Sequence, residues 1–413
     1  LISVFKFAWR QVTARPIAHG ITVATIALAV GLAVGTDLLS QGVQRGIDRA
    51  AGPFDLLIGS RGNAQQLAIN SVLLQGDSLD NVPEDTLKLV RAHTGVAVAI
   101  PLAYGDSVGR AKIIGTTPDL FGIRVRPNAP PFFELSAGRA FEAPFEAVLG
   151  SIAAARLGKG IGATFAAAHG DEPAIEEDDD DADHTGRPYR VVGVLAPTRS
   201  PADTGVYVAI ESYWEIHAAE RRASGDATGP RAVTAILVKP KLFPQDIYRI
   251  QQTATTGGFG QTVQAVVPYQ ELVKLNRQVG QGQRILSVVG LGAIVIAGAT
   301  TFLTMYGSVN ERRRDLAVLR AIGATRGHLA RVVFFECAIV ASLGIGVGAV
   351  MSWFGAYWLA SFVADASNVQ VVVAPSVATP MLVAAMLVTA VFAGIVPTIQ
   401  AARTDVASNL GAD

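Results

Sequence analysis

The sequence predicts an α-helical membrane protein with four transmembrane helices and a large external α+β domain, carried on a helical stalk between the first and second spans. Three observations predict it. Half of the 413 residues are apolar and only 16% are charged, against about 25% in soluble domains. Four long runs carry no ionised side chain: between Arg15 and Asp37, Arg284 and Glu311, Glu336 and Asp365, and Asp365 and Arg403. About 20 apolar residues at a 1.5 Å rise cross a ~30 Å hydrocarbon core, so each run is long enough to span. Between the first two runs, by contrast, short apolar stretches alternate with Gly and Pro. The formal net charge of zero argues against a polybasic nucleic-acid binder. A single cysteine, Cys337, excludes an internal disulfide framework and a cysteine zinc cluster.

In chain order, residues 1–15 read in two ways. Ile2, Phe5, Trp9 and Val12 recur at helical spacing with Lys6 and Arg10 between them, which suits an amphipathic helix on the inner membrane surface; a plain extension of the first span fits equally. Leu1 in place of an initiating Met points to a trimmed start. Residues 16–37 are read as a span rather than a signal peptide, being long and lacking a small-residue cleavage site. Leu38, Leu39, Val43 and Ile47 continue the helical pattern beyond it, and Leu272, Leu275, Val279 and Leu286 fall near a seven-residue repeat. The segments 38–49 and 270–284 are therefore expected to pair as a stalk within the external region 38–283. Inside that region VAVAIP, AKIIGTT, EAVLG, YRVVGVL, GVYVAI and AVTAILVKP read as strands, with SIAAARLG a short helix after EAVLG. The remaining boundaries are a second span at 284–310, a cytoplasmic loop at 311–331, a third span at 332–364, a short external loop at 365–378, a fourth span at 379–402 and a tail at 403–413.

Orientation follows from the basic flanks, because Lys and Arg near span ends resist translocation. Lys6, Arg10 and Arg15 precede the first span; Arg312, Arg313, Arg314, Arg320, Arg326 and Arg331 join the second to the third; Arg403 follows the fourth. All three flanks fall on one side. The expectation is a bacterial inner-membrane protein with both termini cytoplasmic and the large domain periplasmic or extracellular. The neutral chain is thus basic inside and acidic outside.

The segment HGDEPAIEEDDDDADHTG is the one low-complexity stretch. It reads first as a solvated loop held open by its own repulsion. Were it to hold a metal, His169, Asp178, Asp179, Asp180 and His184 are the candidate ligands.

No catalytic constellation is present. The chain lacks G-x-x-x-x-G-K-[ST], H-E-x-x-H and G-x-S-x-G, so it is expected not to be an enzyme and not to bind ATP by a phosphate loop. Ionisable residues within spans are functional candidates because they are costly there. His19 is read as interfacial, and Glu336, at the start of the third span, as reaching the interface or pairing with Arg331. Gly31–Gly35 and Gly344–Gly348 form G-x-x-x-G pairs that either permit close helix contact or arise by chance in Gly-rich spans.

The cytoplasmic segment ERRRDLAVLRAIGAT, residues 311–325, resembles the E-R-R-x-E-I-[GA]-x-[LM]-[RK]-[AS]-[LI]-G-A loop of the MacB/FtsX/LolC-type permeases, the membrane subunits of mechanotransmission (type VII) ABC transporters; Asp315 stands where Glu is usual. LSAGRAFEAPFEAVLGSIAAARLGKGIGATF is similar to that family's GR-x-F … VLG … A-x-x-LG-x-x-x-G segment through Gly138, Arg139, Leu149, Gly150, Ala154, Leu157, Gly158 and Gly162. YRVVGVLAPTRSPAD resembles the strand and turn that follow. IVPTIQAARTDVASNL resembles the closing motif, with Val406 in place of the usual proline. The resemblance implies a permease that works as a dimer, with a second copy or a paralogue, and with a separate ATPase subunit that carries ATP and Mg; no cofactor is expected on this chain. Glu311, Arg312, Arg313, Arg314, Asp315, Leu316, Leu319, Arg320, Ile322 and Gly323 would form the ATPase-coupling segment, with the arginines meeting acidic groups, Leu316, Leu319, Ala321 and Ile322 giving apolar contact, and Gly323 ending the helix. Taken alone, these arginines equally suit topology and binding of anionic lipid. The implied cargo is a lipid, lipoprotein, peptide or small molecule. The alternatives are a regulator of an external cell-wall hydrolase, working with an accessory protein, and a permease of metal uptake.

Overall fold

The computed structural model describes residues 2–76, 80–169, 187–223 and 231–403. The chain divides into two compact units, one of Leu1–Gly42, Val279–Ser361 and Val372–Asp413, the other of Val43–Gln278 and Phe362–Val371. Among the described residues the α-helices are α1 (Ile2–Ala14), α2 (Pro16–Ala51), α3 (Ala64–Leu73), α4 (Glu84–Ala92), α5 (Ser151–Leu157), α6 (Ile210–Ala223), α7 (Gln245–Thr255), α8 (Pro268–Glu311), α9 (Arg313–Ala321), α10 (Arg326–Ser367) and α11 (Ala378–Ala402). The strands are β1 (Leu56–Ser60), β2 (Val82–Pro83), β3 (Val96–Val108), β4 (Ala111–Thr116), β5 (Leu135–Gly138), β6 (Glu146–Leu149), β7 (Thr164–Phe165), β8 (Ala168–His169), β9 (Tyr189–Leu195), β10 (Val206–Ala209), β11 (Ala232–Val233), β12 (Ala235–Pro240) and β13 (Val263–Val266).

In the first unit, α2, α8, α10 and α11 are long and apolar enough to cross a membrane. Pro16 opens α2, where its missing N–H is an orphan of the first turn in any case. Helix α2 runs antiparallel to α8: Thr22 Oγ1 donates to Thr304 Oγ1 at 3.1 Å, and Gly290 lies against Ala33. Of the two G-x-x-x-G pairs, only the second makes a close contact. A Cβ at Gly344 would stand 2.6 Å from Ile26, and one at Gly348 2.6 Å from the Ala27 carbonyl oxygen, whereas Gly31 has nothing within 4 Å. Small residues let backbones approach where apolar burial gives no drive between helices in lipid. At the far end of the charge-free stretch of α2 from His19, Asp37 Oδ2 accepts from Ser376 Oγ and Thr379 Oγ1, each at 2.8 Å, at the entry to α11.

The second unit is built on a sheet of order β13-β1-β12-β3-β4-β10-β6-β9-β5, mostly antiparallel, with β4–β10 and β6–β9 parallel. The six strands expected from sequence are all present, and α5 follows β6 as expected. Alternation along the strands covers both faces. Leu57, Leu102, Ile114, Val148, Leu195 and Leu237 belong to one apolar cluster that runs across the sheet. The opposite face carries two clusters: Leu56, Ile58, Ala99, Ile236 and Val238 with α4 and α7, and Ile113, Ala147, Leu149, Val191 and Val206 with α5. The register shift between Tyr104 and Ser107 of β3 falls where those two clusters part. Such bulges bend and twist the strand that carries them.

Helical segments of the second unit pair as the heptad-like spacing predicts: Asn276 Nδ2 donates to Gln44 Oε1 at 2.5 Å, and Ile47 and Leu272 share one core cluster. The loop between α10 and α11 packs on this unit through Val369 and Gln370. A Cβ at Gly46 would stand 2.5 Å from the Gln370 carbonyl oxygen, and Gln370 Nε2 lies 3.4 Å from Asp203 Oδ2. Asp203 itself is buried. It accepts from Thr198 N, Thr198 Oγ1 and Arg199 N, each at 2.8 Å.

Candidate coupling site

The segment between the second and third spans is built around α9. The backbone breaks at Arg312, whose carbonyl accepts from Leu316 N at 2.9 Å and so starts the helix. The helix ends at Ala321, and Gly323 follows with φ 108°, a conformation that a Cβ disfavours. Gly323 thus ends the helix as the sequence reading expected.

Side chains of this segment divide between two surroundings. Glu311, Arg313, Arg314 and Asp315 are exposed, and Arg320 is half-buried. Val318 and Ile322 are 42% and 79% exposed, an apolar pair among exposed charges of both signs. Leu316 and Leu319, expected as apolar docking contacts, turn instead into the core of their own unit. The reason is helical phase: Leu316, Ala317 and Leu319 share the buried side of α9, and Val318 takes the open face.

Arg312 also points inward. Its Nη2 lies 2.9 Å from Glu336 Oε1 and 3.0 Å from Oε2, one charged donor shared between both carboxylate oxygens. Nη2 further donates to Ser308 Oγ at 2.5 Å, Nε to the Ser308 carbonyl at 3.1 Å, and Nη1 to Gln11 Oε1 at 2.6 Å. Beside it Arg15, at the α1–α2 junction, pairs with Glu311.

Two expectations are corrected here. Glu336 neither reaches the interface nor pairs with Arg331; it is 0% exposed and held by Arg312. Five residues separate Arg331 from Glu336, about 140° around a helix of 3.6 residues per turn, so Arg331 is exposed and its Nε donates to the Gly327 carbonyl at 3.1 Å. His19 is not interfacial in the sense expected: it is buried, with Nε2 at 3.3 Å from Glu336 Oε1. The signal for Glu336 was legible. Leu329, Val332, Val333, Glu336 and Val340 recur at i, i+3, i+4, i+7 and i+11, the buried face of α10. Gln11 and Ser308 gave no such signal.

Of the candidate metal ligands, Asp178, Asp179, Asp180 and His184 lie outside the described residues. For His169 the backbone alone is placed, in β8, in register with Asp106 of β3. Among the described residues no group of three or more His, Cys, Asp or Glu side chains is arranged to hold a metal.

Two family models match the chain. The MacB-like periplasmic core domain matches residues 20–242, and the FtsX-like permease C-terminal domain matches residues 287–406. The chain belongs to the MacB/FtsX-type family of ABC transporter permeases. The order of the two matches is the order of the fold: a first span, the large external domain, then three clustered spans. Members of this family generally work with an ATPase subunit. The permease is also similar to the periplasmic region of MacB from Actinobacillus actinomycetemcomitans, at 12% identity over 55% of this chain and 94% of that one, TM-score 0.34. It is similar to the extracellular domain of the noncanonic ABC-type transporter YknZ from Gram-positive bacteria, at 12% identity over 51% and 98%, TM-score 0.31. The family assignment rests on the two sequence matches, not on these distant likenesses. No curated protein sequence matches the chain.

Within the family's external motif, Gly138 and Arg139 have local structural work. Gly138 has φ 76°, and a Cβ there would overlap the Val192 carbonyl oxygen. Arg139 forks onto Glu146 at 2.8 and 2.5 Å, and the Glu142 and Ala143 N–H groups donate to the same carboxylate. Those bonds, Arg139's first, hold the Glu146 carboxyl down at about 2.

Proposed function

We propose that this permease transmits ATP-driven motion of a separate ATPase subunit to its external domain, and that α9 is where the ATPase docks. The observation that carries the reading is the open face of α9, where Arg313 and Arg314 flank exposed Val318 and Ile322. Cations around an apolar pair suit an acidic, grooved protein surface, and the likeness of residues 311–325 to the family's cytoplasmic loop favours that partner over lipid head groups. In this reading the basic flanks face the cytoplasm of a bacterial cell, and both termini lie there with them. ATP and Mg sit on the partner, and this chain binds no cofactor. A dimer of permeases, of two copies or of a copy and a paralogue, moves a lipid, lipoprotein, peptide or small molecule outside the membrane, with the stalk segments 38–49 and 270–284 carrying the motion.

The test is co-purification of the full chain with the ABC ATPase subunit from its native host. Arg313→Glu with Arg314→Glu is expected to abolish association, and Ile322→Asp to weaken it. Normal assembly and normal ATPase stimulation by the double variant would place docking elsewhere.

A further inference from the structure

The third span begins by burying a carboxylate. Glu336 is 0% exposed, and a charge removed from water needs both a counter-charge and hydrogen bonds to its remaining lone pairs. Arg312 supplies both, and its guanidinium reaches further than one pair. Through Glu336 it holds α10, through Gln11 α1, and through Ser308 α8. Its own carbonyl starts α9. His19 of α2 approaches the same carboxylate at 3.3 Å. Five helices of one unit therefore meet at one ion pair.

Along the chain α9 is joined to its neighbours by backbone breaks, at Arg312 on one side and around Gly323 on the other, and it packs on its unit through Leu316, Ala317 and Leu319. Apolar contact is non-directional, so a push on α9 would slide it at those breaks unless a directional bond tied it down. We propose that Glu336, acting through Arg312, is a positioning residue that makes α9 move as one body with α1, α8 and α10. It takes no part in docking. This rests on the reading of α9 as the coupling helix. Buried ion pairs add little net stability over apolar packing, but they fix one arrangement of the groups around them, which is what a transmitting joint needs.

Hydrogen exchange followed by mass spectrometry on the full chain in lipid nanodiscs tests the proposal in two arms. In the chain alone, Glu336→Gln and Arg312→Lys are each expected to speed exchange in α9 by about tenfold or more, with α11 unchanged. In the complex with the co-purifying ATPase, Glu336→Gln is expected to keep association and ATP hydrolysis. Both variants are expected to lose the ATP-dependent change in exchange of residues 43–51 and 268–277. The double swap Arg312→Glu with Glu336→Arg is expected to restore part of that response. A wild-type stalk response in Glu336→Gln overturns the proposal. So does accelerated exchange that extends through α11 in Arg312→Lys, since that marks a merely structural residue. Should Arg313→Glu with Arg314→Glu leave docking intact, the function reading fails, while the α9 exchange in the chain alone still decides the role of Glu336.

Discussion

Two buried carboxylates in this permease are satisfied in opposite ways. Asp203, in the external unit, takes its close hydrogen bonds from Thr198 and Arg199, residues within five positions, largely from backbone N–H groups. Glu336, in the membrane unit, is held by a guanidinium 24 positions away that also bonds two further helices. A locally satisfied carboxylate fixes a turn and needs no other element to be in place. A carboxylate satisfied at a distance fixes the relation between elements, and it can do so only when they have assembled. The same chemistry serves shape in one unit and linkage in the other.

The contrast breaks most sharply on removal of the cation. Arg312→Ala leaves Glu336 buried and unpaired, with an expected loss of about 3–5 kcal/mol. Equilibrium unfolding of the full chain in mixed micelles reads it; a loss under 1 kcal/mol would mean that water reaches Glu336 and the pair is not buried as described. Next comes Asp203→Ala, which removes three short bonds within one turn. The expected loss is about 2–3 kcal/mol, with faster exchange confined to residues 196–206; spread of the effect to the whole sheet would show that Asp203 links elements as Glu336 does.

Close helix contact gives a smaller effect. Gly348→Val forces α10 off the Ala27 carbonyl at an expected cost of about 1–3 kcal/mol. Gly346→Val, at a position with nothing within 4 Å, serves as the neutral control in the same unfolding series. Equal costs at both positions would remove the packing role. Smallest is the pH effect of Glu146. Its carboxyl is held at about 2, below the usual 4.5, chiefly by Arg139. A depressed carboxylate contributes stability that is complete above the unfolded value and is lost as pH falls through the folded one, so the window is roughly pH 5 to pH 2. Thermal unfolding of the full chain across that window should show a fall that Glu146→Gln flattens by a few degrees. An unchanged slope would mean the Arg139 fork adds nothing measurable.

Much of the fold was written in composition and period. The charge-free runs located the spanning helices, and the six predicted strands carried their own runs of Val, Ile and Leu. The strand Leu56–Ser60 was not legible because its apolar run, Leu56, Leu57 and Ile58, is short, although Gly52-Pro53 marks a turn between it and the long helix. Val263–Val266, with Gln264 inside, is an edge strand whose alternation spans too few residues to register. At the coupling segment, residue types announced a basic helix, but phase decided the roles. Arg312 and Arg313 are neighbours of the same type, and only the break in the backbone between α8 and α9 turns one inward and the other out. The loop 365–378 was legible as a loop, but nothing in its composition shows that Gly46 leaves room for Gln370.

The order of strands has a consequence for how the permease is made. Strand β1 pairs with β12 and β13, Gly59 opposite Ala235 and Ser60 opposite Val263. During synthesis β1 emerges directly after the first membrane helix, yet its partners follow only after most of the domain has been translated. This strand, buried along its whole length in the finished sheet, stays without a neighbour through that interval. Sheets closed by such distant partners fold slowly and expose unpaired edges meanwhile. The external domain is therefore a late-closing fold whose first strand must be kept from other chains until the last ones arrive.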